Sequence, residues 1–207
     1  DLHSFPTRRS SDLVGGARDV RSRYYTVMVS GLAYNRSATS PLAMRQLASS
    51  LTPYLHPGDV VLLTGDLGAG KTQFVQGIAE GLHVDEQVMS PTFNILLTYP
   101  DGDIPLYHFD LYRLDAVEEL EDIGFYETIE SDGVSFVEWG DKFPGIVVNG
   151  YLRINIAVED SGSRRVSALA FGLRARNLLT VWANDSKSCL MKDRKSTRLN
   201  SSHGRRS

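Results

Sequence analysis

Residues 65–72 read Gly65-Asp66-Leu67-Gly68-Ala69-Gly70-Lys71-Thr72, a complete G-x-x-x-x-G-K-T pattern. Such a loop dictates its own surroundings. Its glycines let the backbone curl with N–H groups pointing inward, and a helix N-terminus behind them adds a favourable potential for anionic oxygens. A strand must therefore deliver the chain into the turn and a helix must carry it away. Both flanks comply: Val60-Val61-Leu62-Leu63 is a β-favouring apolar run, and Phe74, Val75, Ile78, Ala79 and Leu82 recur at helical spacing. The pattern predicts a phosphate site formed by Gly65, Asp66, Leu67, Gly68, Ala69, Gly70, Lys71 and Thr72. Lys71 is expected to reach the β- and γ-phosphates of a nucleotide, and the Thr72 hydroxyl to ligate Mg2+. The competing reading is a glycine-rich turn with no ligand, and the strand before it and the helix after it weigh against that.

A chain of 207 residues with 42% apolar composition supports one good core, so a single α/β domain is expected, over residues 30–183. The lone Cys189 excludes an internal disulfide. No apolar stretch approaches the width of a bilayer, and the first residues lack the apolar core of a signal peptide, so a soluble, cytoplasmic protein without membrane contact is the expectation. The ends differ from the middle. Residues 1–23 and 192–207 are polar, rich in Ser and Arg and without periodicity, so both are expected to be disordered. Within them Leu2–Leu13 and Lys195–His203 resemble translated sequencing-adapter sequence. They are read as non-native, with Met28 a plausible true start; a native basic tail touching RNA is the alternative.

Setting the ends aside changes the charge argument. The whole chain has a formal charge of −3, but residues 24–191 hold 21 acids against 11 Lys and Arg, a formal charge of −10. An acidic body does not suit direct, tight binding of RNA or DNA, which calls for a basic stripe. A basic protein partner suits it better.

Ser40-Pro41 reads as an N-cap followed by proline at the first helical position, and Leu42, Met44, Leu47, Ala48 and Leu51 form the apolar stripe of the helix. After the loop helix, proline in Ser90-Pro91-Thr92-Phe93 disfavours helix at Ser90. Residues 94–99 and 104–112 read as two strands around the turn Pro100-Asp101-Gly102. An antiparallel pair there predicts a mixed central sheet, parallel and antiparallel, flanked by helices. Residues 115–130 are acid-rich with helical spacing broken at Gly124, mostly a solvated face. Val134–Val137 reads as a buried strand ending at Glu138, residues 151–158 and 165–171 as a hairpin, and residues 173–182 as a closing helix.

A phosphate loop of this class works with an acid at the end of a neighbouring strand, which holds Mg2+ and helps place the nucleophile. Glu138 and Asp110 are the two candidates, and with Lys71 they make the expected catalytic set. Thr92 is a candidate switch-like hydroxyl near the γ-phosphate, and Trp139, directly after Glu138, a candidate nucleotide contact. His108 falls on the same strand face as Asp110, where a packing or supporting role competes with a catalytic one. Arg113, Arg153, Arg164 and Arg165 are each able to bring charge to the phosphates.

Taken together, the loop, Ser90-Pro91-Thr92-Phe93, His108-Phe109-Asp110-Leu111-Tyr112-Arg113, Glu118-Glu119-Leu120 with Gly124 following, and Val137-Glu138-Trp139 closely resemble the TsaE (YjeE) ATPases of bacterial tRNA threonylcarbamoyladenosine synthesis, over residues 38–172. The resemblance implies a small P-loop protein with an atypical mixed sheet that binds ATP and Mg2+. It implies work with a TsaD–TsaB-like complex, which carries out the threonylcarbamoyl transfer to adenosine 37, so that tRNA is met only through that complex. By position, Thr72 and Glu138 match the Mg2+ ligands, Lys71 the phosphate lysine and Asp110 the essential acid, while Arg164 or Arg165 is placed to approach the nucleotide. The chain departs from the pattern at Ser40-Pro41-Leu42-Ala43-Met44, where an acidic residue and a threonine are usual, and at Gly140, where a proline is usual. Two other functions share the loop: a small-molecule kinase, and a nucleotide-gated binding module without turnover.

Overall fold

A computed structural model describes residues 34–91 and 93–185. Thr92, Met28, Cys189 and both end segments lie outside the described residues. The chain divides into a unit of residues Asp1–Ser30 and a unit of residues Gly31–Ser207 that holds everything described.

Seven strands form one sheet: β1 (Tyr34–Ala38), β2 (Val60–Thr64), β3 (Leu96–Tyr99), β4 (Leu106–Asp110), β5 (Val134–Glu138), β6 (Tyr151–Val158) and β7 (Arg164–Phe171). Their order is β1-β7-β6-β2-β5-β4-β3. The middle is parallel, with β2 between β5 and β6 and β4 beside β5. The flanks are antiparallel, β3 on β4 and the β6–β7–β1 meander. The sheet is thus mixed, as the sequence predicts, and antiparallel pairing extends to both edges.

Strand parity sorts the core. Val61 and Leu63 of β2, Phe136 of β5 and Ile154 of β6 face one layer. That layer is built by α1 (Pro41–Ser49), α2 (Lys71–Gly81) and a helix α5 over residues 173–185. Val60, Leu62, Phe109 and Val137 face the other, covered by Leu120 of α3 (Glu119–Asp122), Phe125 of α4 (Phe125–Ile129) and the segment bearing Phe143, Ile146 and Val147. All five residues of β2 and of β5 are buried, as befits strands covered on both faces.

Local chemistry explains the helix ends. Ser40 caps α1 by accepting the Ala43 amide at 3.1 Å, with Pro41 at the first position, as expected. The acid-rich segment splits into α3 and α4 where Gly124 turns left-handed, at φ 65°. One acid there does more than face water: Glu119 Oε1 accepts the Asp115 and Ala116 amides at 2.8 and 2.7 Å, which hold its carboxyl below the ordinary carboxylate range.

The strand β1 has little signature in the sequence, because Tyr34-Asn35-Arg36-Ser37-Ala38 is short and mostly polar. It is nonetheless anchored, for the Tyr34 ring stacks on Trp182 of α5 at 4.0 Å between centroids.

The helix behind the glycine loop is held at a fixed depth by α1. A Cβ added to Gly77 would lie 2.3 Å from the Arg45 carbonyl oxygen and 2.5 Å from its Cα, so the two helix backbones meet there. Gly77→Ala is expected to destabilise the domain by about 1–3 kcal/mol through overpacking, although alanine is the better helix former by about 0.5–1 kcal/mol. Urea unfolding checks this; a stabilised Gly77→Ala variant contradicts the close approach.

Candidate functional site: a phosphate loop beside two buried carboxylates

The loop leaves β2 at Thr64 and enters α2 at Lys71, as its flanks predict. Its glycines are needed for two separate reasons. Gly65 lies at φ 133°, and a Cβ there would sit 2.2 Å from the Ile156 carbonyl oxygen of β6. Gly70, at φ 111°, is the N-cap of α2 and supplies no side-chain cap, so the first amides of the helix have no internal acceptor. Ala69 is buried, whereas Asp66, Leu67 and Gly68 are exposed, which turns the outer arc of the loop to solvent.

Lys71 is 4% exposed. Its ammonium donates to the carbonyls of Gly65 at 2.8 Å and Asp66 at 3.0 Å, and its Nζ lies 4.0 Å from the centre of the Trp139 ring. Burial pushes the Lys71 pKa below its ordinary value, against the opposing pull of Glu138, Asp110, Asp141 and Asp66.

The acids arrive by strand register. Asp110 of β4 is paired with Glu138 of β5, and Glu138 with Leu63 of β2, so both carboxylates stand at the strand ends next to the loop. Parity then turns His108, Asp110 and Glu138 to the face covered by α2, while Phe109 and Val137 between them enter the opposite core. Glu138 is 4% exposed, and its Oε1 accepts the Thr72 hydroxyl at 2.8 Å and His108 Nε2 at 2.9 Å. Asp110 is equally buried, and its Oδ1 accepts the Tyr112 amide at 3.0 Å. A carboxylate accepting from its own backbone two residues on is a common way to end a strand, and β4 stops there.

Trp139 has φ 61°, a left-handed conformation that is uncommon for a bulky residue. The kink is fixed by the Trp139 amide donating to Leu63 O at 3.1 Å, and it leaves the ring between Lys71 and Tyr112, 5.0 Å from the latter. Backbone strain of this kind costs on the order of 1–3 kcal/mol and is retained where the surroundings over-determine it.

The structure therefore brings Lys71, Thr72, Asp110, Glu138 and Trp139 together with the loop. The arginines are less convergent. Arg164 and Arg165 begin β7 opposite Val158 and Ala157, at the same end of the sheet as the loop. Arg164 bonds to Gly162 O, and Arg165 approaches Glu159 at 3.7 Å. Arg153 lies over Phe171 at 4.9 Å, and Arg113 over Phe93 at 5.5 Å. His108 is the residue the sequence weighed least well: its parity with Asp110 signalled the shared face, but its bond to Glu138 crosses strands and has no sequence signature.

The chemistry of the donor set suits a hard cation shared with phosphate. A hydroxyl and a carboxylate 2.8 Å apart offer oxygen ligands, and no cluster of three or more His, Cys, Asp or Glu able to hold a metal occurs among the described residues. Mg2+ is commonly held in this way, by one or two protein oxygens with the remaining positions taken by substrate phosphates and water.

The depressed Lys71 pKa has a signed consequence. Between that lowered value and 10.5, the unfolded chain binds more protons at this lysine than the folded chain, so wild-type stability rises with pH across the window relative to Lys71→Met. Denaturant unfolding of the two proteins through alkaline pH reads this difference; a gap that narrows in the opposite sense contradicts the burial of the charged amine.

The family model "Threonylcarbamoyl adenosine biosynthesis protein TsaE" matches residues 38–166. The tRNA threonylcarbamoyladenosine biosynthesis protein TsaE of Bacillus subtilis is 40% identical over 135 residues, covering 65% of this chain and 84% of its own. The protein of the same name from Streptomyces coelicolor is 41% identical over 139 residues, 63% of this chain and 93% of its own. Among solved structures, the crystal structure of Bacillus subtilis YdiB superimposes with a TM-score of 0.66 at 32% identity, covering 75% of this chain and 97% of that one. No helix among the described residues is long and apolar enough to cross a membrane. Matched over well more than half its length, on the strand–loop–helix scaffold that holds its carboxylates, the chain belongs to the TsaE family of threonylcarbamoyladenosine biosynthesis proteins.

Proposed function

We propose that this chain is a Mg2+-dependent ATPase that binds and hydrolyses ATP in the service of N6-threonylcarbamoyladenosine formation at position 37 of tRNA, acting on a TsaD–TsaB-like complex. The observation that carries the reading is the bond between the Thr72 hydroxyl and Glu138 at 2.8 Å, made next to Lys71 at the mouth of a glycine loop. A phosphate-binding turn alone serves many functions. One whose helix hydroxyl is already joined to a buried strand-end acid has the parts for metal-assisted phosphoryl transfer to water.

Each residue then has a task. The loop amides and the N-terminus of α2 receive the β- and γ-phosphate oxygens. Lys71, held by Gly65 O and Asp66 O, needs only to exchange those carbonyls for phosphate oxygens, and its aliphatic stem is already buried. Thr72 and Glu138 would hold Mg2+, whose charge offsets that developing on the transferred group. Asp110, one register pair away, is the carboxylate assigned to orienting the attacking water, whose oxygen bonds to the γ-phosphorus as the bond to the bridging oxygen breaks, giving ADP and phosphate. Trp139 covers Lys71 and shields that charge from solvent. Thr92, Arg164 and Arg165 complete the proposed nucleotide contacts. The acidic body leaves tRNA to the partner complex, consistent with a protein that acts through others.

Replacing Lys71 by Ala removes a charge-assisted contact of about 1.5–3 kcal/mol, so nucleotide affinity is expected to fall about ten- to a hundredfold. Isothermal titration with ATP analogues measures it, and undiminished binding together with full tRNA modification by Lys71→Ala defeats the proposal. In Glu138→Gln, half-maximal nucleotide turnover is expected at higher Mg2+ than in wild type; an unchanged metal titration takes Glu138 out of metal binding. Phosphate release measured with and without a TsaD–TsaB complex tests the coupling. Stimulation by the complex supports it, transfer of phosphate to a metabolite identifies a kinase instead, and absent turnover identifies a binding module.

A further inference from the structure

His108 is fully buried, yet neither packing nor the proposed chemistry accounts for an imidazole at this position. Its neighbours in β4, Leu106 and Phe109, are core residues, and β4 would lose nothing as a strand with a leucine at 108. Among the described residues the ring makes one polar contact, from Nε2 to Glu138 Oε1 at 2.9 Å, and Nδ1 has no partner there although it is sealed from water. A carboxylate that ligates a metal only accepts, so at this contact Nε2 is the donor.

The consequence falls on Glu138. Oε1 takes two donors, Thr72 from α2 and His108 from β4, which approach from different elements, while Oε2 takes no hydrogen bond from the described residues. A carboxylate tied at one oxygen by a single donor still swings about its terminal torsion, which is broad for glutamate. Tied by two donors on separate, packed elements, it presents the other oxygen in one direction.

We propose that His108 is a positioning residue for the metal site, holding the Glu138 carboxylate so that it meets Mg2+ preorganised, without itself touching metal or nucleotide. The inference rests on the proposed Mg2+–nucleotide function and extends it. Outer hydrogen bonds to ligating carboxylates commonly carry about ten- to a hundredfold in metal affinity.

The test uses the full chain with ADP, and Mn2+ as the metal probe, its binding read by electron paramagnetic resonance. A glutamine amide nitrogen reaches about as far as Nε2, whereas that of asparagine stops near Nδ1. His108→Gln is therefore expected to keep Mn2+ affinity within about threefold of wild type, and His108→Asn and His108→Leu to lose about tenfold or more. ADP affinity measured in EDTA is expected to be the same in all four proteins, since the loop and Lys71 are untouched. Thermal unfolding of each variant reports folding separately, and the Gln and Asn pair decides the matter if His108→Leu does not fold. Equal Mn2+ affinity in Gln and Asn, or wild-type affinity in Leu, overturns the inference and leaves the proposed function standing. Failure of wild type to bind Mn2+ with ADP overturns both.

Discussion

An ionised carboxylate withdrawn from water has to be given donors, and the architecture around Glu138 is arranged to supply them. The side chain is 4% exposed. Burying a charge to that degree is costly unless hydrogen bonds and opposite charge offset it. Here the offsets come from three directions: the Thr72 hydroxyl at the start of α2, His108 from the adjacent strand, and the nearby Lys71 ammonium. None of these is local in sequence to Glu138. Each depends on β5 lying between β2 and β4, so the sheet order is also the condition for a charged acid at that point.

Electrostatics at longer range work against the site. Residues 24–191 carry a formal charge of −10, which repels an anionic ligand at distances within the screening length. Under the proposed function, capture of phosphate would rest on short-range contacts, the loop amides and one buried lysine. The same lysine is held in place by two carbonyls and an indole face, so its conformational cost is met before any ligand arrives. The strained Trp139 backbone belongs to this arrangement, because a relaxed conformation at that position would turn the ring elsewhere.

How much of this the sequence discloses depends on whether a feature is local. The loop and its flanks were legible because glycine at left-handed positions and 3.6-residue spacing are one-dimensional signals. So was the Ser40-Pro41 helix start, and so was the strand carrying Glu138, a short apolar run ending in an acid. Asp110 and Glu138 were legible as candidates but not as a register pair, since pairing between strands separated by two helices leaves no trace in either segment. β1 carries little signal for a related reason: of its five residues only Tyr34 and Ala38 are buried and apolar, and the ring that Tyr34 stacks on, Trp182, lies far along the chain. Arg164 and Arg165 show the reverse, a plausible charge in the sequence whose described partners are Gly162 and Glu159.

The stack of Tyr34 on Trp182 carries a consequence for synthesis. Trp182 also meets Phe74 of α2 edge-on, with centroids 6.4 Å apart, and its indole N–H donates to Ser50 Oγ at 2.8 Å. The helix that begins at Lys71 thus leans on a wall made more than a hundred residues later. During translation the loop, its strand and its helix emerge early, but their apolar side stays open until residue 182 has cleared the ribosome. The nascent protein is complete in sequence around its phosphate loop long before it is complete in core, and that interval is when exposed apolar surface is most prone to stray association.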